Sequence, residues 1–151
     1  MTRVEAFDRL ADVRDELEAS RYALARLQMA LEAGGELGDA KAAIRPSHLR
    51  DCSANVEMTY LVRMFAEFEV VLRDFLNVAR PRRRPRRTPM EIIMNRVAAI
   101  CYISYDVLNA AHEAREHRNS LVHDRGSGAL LTFHDCKSRL GRFMGFLPLN
   151  W

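Results

Sequence analysis

An arginine and a histidine five residues apart, Arg118 and His123, are the pair in this sequence best suited to chemistry. Asn119, Ser120, Leu121 and Val122 run between them, and Glu116 stands just upstream. Imidazole titrates near pH ~6.5, so His123 can take or give a proton near neutrality. A guanidinium forks onto phosphate oxygens and keeps its charge. A proton carrier beside an anion clamp is equipment for phosphoryl chemistry. Five positions are about 140° of helix turn, so the two side chains do not share one face. They converge only where a helix starts or bends, or where two chains pool their residues across a dimer. Asn119 and Glu116 fall on the His123 side, and Asn119 can orient the ring.

The elements around this pair sharpen the reading. Val107, Ala111 and Ala114 are spaced four and three apart, the inward stripe of a helix, and the next positions of that stripe are Arg118 and Leu121. A desolvated guanidinium is costly unless paired or hydrogen-bonded. Glu116, a carboxylate from another helix or a bound phosphate would supply the partner.

The run Arg118-Asn119-Ser120-Leu121-Val122-His123 resembles the Arg-X4-His motif of the HEPN superfamily (higher eukaryote and prokaryote nucleotide-binding domains), in which Asn commonly follows the Arg. The resemblance covers residues 47–148. It implies an all-α fold, an antiparallel four- to five-helix bundle, and a homodimer with both motifs at one interface. It also implies a metal-independent endoribonuclease whose products are a 2′,3′-cyclic phosphate and a 5′-hydroxyl. Arg118, His123 and Asn119 would be the catalytic residues, supported by Glu69 and Glu116. Glu69, with Glu67 second, holds the place where such domains often set a polar residue against the motif Arg. The plain reading of Glu69 and Arg73 is a solvated i,i+4 pair. Small free-standing domains of this kind resemble toxins or antiviral effectors, which makes RNA the substrate and an antitoxin protein a candidate partner. One departure counts: a subgroup paired with nucleotidyltransferase antitoxins carries Tyr two residues after the His, where this chain has Arg125.

RNA brings its own nucleophile, the ribose 2′-hydroxyl, so a general base, a general acid and a cation suffice, with no cofactor or metal. The alternative is a non-catalytic HEPN-like dimerisation scaffold or RNA-binding module, in which Arg118 and Asn119 make structural hydrogen bonds. A third reading is a helical adaptor using the leucines of the first helix. His48, His112, His117, His123 and His134 show no metal-ligand spacing, and no phosphate loop or nucleophile elbow is present.

Length and composition suit one domain over residues 1–151. Cys52, Cys101 and Cys136 have no pairing pattern, which points to reduced thiols and a cytoplasmic setting. The acidic start (Glu5, Asp8, Asp12) does not read as a targeting peptide, and no apolar run is long enough to span a membrane. The net charge is +3, yet residues 80–87 alone carry six arginines, leaving −3 for the rest. This Arg/Pro-rich loop, with Arg82, Arg83, Arg84, Arg86 and Arg87, is either an RNA-backbone clamp or a plain basic loop, with a nuclear localisation signal as a third reading.

A long helix is expected over residues 3–33, with Leu10, Leu17, Leu24 and Leu31 in heptad spacing, lying along the bundle rather than zipping a dimer. Gly34 and Gly35 end it. Ser47 is the expected cap of a second helix running to Ala79, with the seam Leu61, Phe65, Phe68, Leu72, Phe75 and Ala79. Thr88-Pro89-Met90-Glu91 is expected to start a third with Ile92, Ile93, Val97, Ile100 and Cys101 inward. Ser104 and Asp106 mark a break before the motif helix, and residues 124–128 a turn. Thr132 to Asp135 starts the last helix, with Phe133, Cys136, Leu140, Met144 and Leu147 inward, widened by Phe143 and Phe146. Trp151 is a terminal anchor or a frayed end.

Overall fold

The computed structural model describes residues 1–33, 45–80, 88–123 and 131–151. Among these residues the protein is all-helical: α1 (Arg3–Glu32), α2 (Pro46–Ala79), α3 (Met90–Cys101), α4 (Tyr105–His123) and α5 (Phe133–Met144). None of these helices is long and apolar enough to cross a membrane. The glycines at 34 and 35, the basic loop and the turn at 124–128 lie outside the described residues.

Helix α1 begins at a reciprocal cap. The Thr2 hydroxyl accepts from the Glu5 backbone N–H at 3.1 Å, and the Thr2 N–H donates to the Glu5 carboxylate at 2.7 Å. The same device starts α5, where Thr132 and Asp135 exchange bonds as the sequence leads one to expect. The other two expected caps differ. Helix α2 is entered through Arg45 with Pro46 in its first turn, so Ser47 is already helical. Helix α3 follows Pro89, and the Thr88 side chain makes no capping bond. Proline presets the helical φ and needs no N–H partner, so it displaces the hydroxyl residue as the start signal. The expected break comes at Tyr102, in the left-handed conformation at φ 53°, with the Ser104 hydroxyl donating to Asp106 at 2.5 Å as α4 begins.

Cross-helix pairs fix the topology. Arg9–Glu67, Glu16–Arg63, Ser20–Tyr60 and Arg21–Glu57 run in opposite numerical order, so α1 and α2 are antiparallel. Glu91–Arg115 and Asn95–His112 make α3 and α4 antiparallel, and Asp106–Arg142 and Glu113–Arg139 do the same for α4 and α5. Helix α5 runs parallel to α2, joined through Glu57–Phe133, Phe68–Phe143 and Asp74–Trp151.

One core lies among the five helices. Leu10, Val13 and Leu17 of α1, Leu61, Phe65, Phe68, Leu72 and Phe75 of α2, and Cys136, Leu140, Phe143 and Met144 of α5 are buried. The inward face of α3 is rotated from expectation: Met94 and Ala98 join Ile93 and Val97, while Ile92 is exposed. Ala79, the last residue of α2, and Phe146, in the turn beyond the end of α5, also point outward. Leu24, Leu27 and Leu31 are only half-buried, so the heptad is a core seam as far as Leu17. Trp151 is an anchor: its indole N–H donates to Asp74 at 3.0 Å and its ring meets Phe75 edge to face. Its backbone pairs with that of Met1 beside an antiparallel bridge between Thr2 and Asn150.

Candidate active-site cleft

The motif helix meets α2 across a cleft of ≈ 310 Å³. Helix α2 presents Val62, Phe65, Ala66 and Glu69 to it, a spacing that lays four side chains along one face. Helix α4 presents Arg115, Arg118 and Asn119, and Met90 closes the side nearest α3. Val107, Ala111 and Ala114 are buried as their spacing demands.

Arg118 is half-buried, as a residue on the shoulder of that stripe should be. One terminal nitrogen donates to the Asn119 side-chain oxygen at 3.0 Å. Its Nε is buried without a hydrogen-bond partner, and among the described residues no carboxylate lies within 4.0 Å of the guanidinium. Glu69 faces the same cleft, but Arg73, one turn on, holds its carboxylate at 2.6 Å. Arg73 also donates to the Thr88 carbonyl at 3.1 Å, tying α2 to the entry of α3. The i,i+4 pair is thus formed as the sequence suggests, with Glu69 also in the wall of the cleft. Glu116 does not reach Arg118: it is exposed, with its carboxylate 3.5 Å from Arg115.

The core position that spacing offered to Arg118 is taken by His117, which is 6% exposed. Both residues continue the stripe, one three and one four positions after Ala114, and the smaller imidazole turns inward. The Ser120 hydroxyl donates to the His117 carbonyl at 2.7 Å. His123 closes α4; its side chain lies outside the described atoms. Arg82, Arg83, Arg84, Arg86 and Arg87 lie outside the described residues.

Two residues that the motif does not include belong to this region. The side chain of Arg115 is 18% exposed, its Nε is buried without a partner, and it stands 3.6 Å from Glu91. His112, three residues earlier, sets Nε2 2.9 Å from the Asn95 side-chain oxygen. An amide oxygen only accepts, so Nε2 carries the proton and Nδ1 is an acceptor. That Nδ1 is buried with no partner. Burial pushes the His112 pKa below its ordinary value, and the nearby Arg115 charge adds to the effect. The signal in the sequence was the spacing of Arg115 and Arg118, three apart on one face. Among the described residues no three His, Cys, Asp or Glu side chains cluster as metal ligands. Comparison with known protein families, curated proteins and solved structures finds no match to this chain.

Proposed function

We propose that the protein is an endoribonuclease of HEPN type that works as a homodimer and cleaves RNA by attack of the ribose 2′-hydroxyl. The observation that carries this reading is the uncompensated charge of Arg118 in a partly buried cleft. A guanidinium in that setting calls for an anion, and a phosphodiester supplies one with the geometry its fork prefers. Arg118 would grip the non-bridging oxygens and stabilise the charge that builds on the phosphorane. Asn119, bonded to Arg118 at 3.0 Å, would hold the guanidinium in place. His123 would act as general base or general acid, the two copies of a dimer supplying both. The base takes the 2′-hydroxyl proton, O2′ bonds to phosphorus, the P–O5′ bond breaks, and the acid protonates the departing O5′. A 2′,3′-cyclic phosphate and a 5′-hydroxyl result, and the step needs no metal because RNA supplies the nucleophile. On the same resemblance, the setting is a cytoplasmic toxin or antiviral effector with an antitoxin partner.

The Arg118–Asn119 bond favours a second reading, a dimerisation scaffold or RNA-binding module, because it satisfies part of the guanidinium without a ligand. Purified protein on fluorescent single-stranded RNA in EDTA separates the two, with Arg118→Ala and His123→Ala checked for fold by circular dichroism and for dimers by gel filtration. Cleavage by the wild type that disappears in both variants is expected. A wild type silent on several RNAs leaves the scaffold, and cleavage that survives both substitutions overturns the residue assignment.

A further inference from the structure

Buried polar atoms in folded proteins nearly all find partners. The three buried side-chain nitrogens without one among the described residues are His112 Nδ1, Arg115 Nε and Arg118 Nε. They stand at positions i, i+3 and i+6 of a single helix, and both arginines face the same cleft. Concentration on one stripe marks a place where something outside the chain, water or ligand, completes the bonding.

Arg115 is also held differently from arginines elsewhere. Arg9 and Arg21 meet carboxylates on neighbouring helices at 2.7 and 2.5 Å. Among the described residues Arg115 has only Glu116 at 3.5 Å and Glu91 at 3.6 Å, both well exposed. Its charge is loosely held and that of Arg118 meets no carboxylate among the described residues, while Glu69 opposite is already paired with Arg73. The cleft therefore has two cations to offer. Val62, Phe65 and Met90 give it an apolar wall between them and α2.

From this arrangement we infer that Arg115 is a second phosphate ligand, so that the cleft takes one nucleotide together with two phosphate groups: Arg118 on the scissile phosphate, Arg115 on its neighbour, and the base against Val62, Phe65 and Met90. Residues three apart on a helix stand about 5–6 Å apart at Cβ, which lets two long guanidinium arms reach successive phosphates of one strand. Binding draws Arg115 away from Glu91 and Glu116, two weak exposed partners that give it up at small cost. Burial, with the Arg115 charge beside it, lowers the His112 pKa and so disfavours a third positive charge next to the pair. The inference rests on the RNA reading of the cleft but reaches further: Arg115 makes the site prefer a phosphate on the neighbouring nucleotide and does no proton transfer.

The test is calorimetric binding of a dinucleotide with a 2′-deoxy first sugar, which cannot be cleaved. It is offered with free ends, with a 5′-phosphate, and with a 3′-phosphate, to wild type, Arg115→Ala, Arg115→Lys and Arg118→Ala. In the wild type, one end phosphate is expected to tighten binding roughly tenfold, the scale of a hydrogen bond to a charged group. Arg115→Ala abolishes that gain, Arg115→Lys keeps part of it as a point charge without the fork, and Arg118→Ala weakens all three ligands alike. For a longer single strand, Arg115→Ala lowers the slope of log affinity against log salt by about 0.7. A gain that survives Arg115→Ala, or no gain from either end phosphate, overturns the role of Arg115 while cleavage of RNA would still support the nuclease. A gain that depends on Arg115 in a protein that cuts no RNA supports the phosphate site and removes the nuclease. No binding of any ligand overturns the role of Arg115, and the nuclease then stands or falls on the cleavage assay.

Discussion

At the seam between α1 and α2, Arg9, Arg21 and Arg63 each reach a carboxylate on the facing helix; in the cleft between α2 and α4, Arg118 reaches none within 4.0 Å among the described residues. The seam is closed by large apolar side chains, Leu10, Val13 and Leu17 against α2. Its arginines lie on the rim and balance charges already present. The cleft is walled by Val62, Phe65, Ala66 and Met90, and α4 turns toward it two cationic side chains with unmade bonds. The same residue type therefore serves order in one junction and, in the other, stands ready for an anion that the described residues do not supply.

Breaking the seam should cost the most. Leu17→Ala removes a fully buried side chain and is expected to lower unfolding free energy by about 2–5 kcal/mol, measured by urea denaturation. Cleavage at temperatures where the variant stays folded should be unchanged. Breaking the cleft should give the opposite pattern. Arg118→Ala is expected to cut the cleavage rate about 10²–10³-fold, the scale for losing one charge-stabilising donor, with little change in the denaturation midpoint. If instead it unfolds the protein and rates in the remaining folded fraction are normal, the contrast between the two junctions collapses.

Smaller effects test the supports of each junction. Thr132→Ala removes the hydroxyl that caps α5 and should cost about 1 kcal/mol, read as a shift in thermal midpoint. A pH series probes the cleft side. His112 has its pKa lowered in the folded protein, so the unfolded chain binds the proton more readily. Its contribution is intact above the unfolded value near ~6.5 and is lost as pH falls through and below that point. The lowered carboxyls of Glu5, Asp106 and Asp135 act in the same direction but only in the more acid range of carboxylates. His112→Gln should therefore flatten thermal stability between pH 7.5 and 5.5 and leave the acid limb in place. The slightest effect should come from Arg63→Ala. An exposed pair is worth about 0–1 kcal/mol, and neither cleavage nor RNA binding should change.

Much of the seam was legible in the sequence because one rule governs it. Leu61, Phe65, Phe68, Leu72 and Phe75 are spaced four and three apart, and that spacing alone sets the buried face of α2. Thr132 and Asp135 were equally plain, since a reciprocal cap needs only four consecutive residues. The cleft was legible in part. Arg118, Asn119 and Glu69 were named from the chain, and they line one cavity. Arg115 and His112 were not read as part of the site, because what distinguishes them is a bond left unmade, and unmade bonds depend on which helices come together. The exchange of His117 for Arg118 at the inward position had the same origin: two neighbours share one stripe, and only packing against the surrounding helices chooses between them.

The joined ends of the chain carry a consequence for the order of assembly. The Met1 ammonium donates to the Trp151 carbonyl at 2.9 Å across a sequence separation of 150, and Thr2 pairs with Asn150. Closing a loop across so long a separation carries a large closure entropy, so this clasp is expected to form only after the helices between its two halves are already in place. Contacts made that late are absent from the folding barrier and act on the rate of escape from the native state. The clasp between Met1 and Trp151 is thus expected to act as a latch on unfolding, so that loosening it speeds unfolding and leaves the folding rate to the local helix pairs in between.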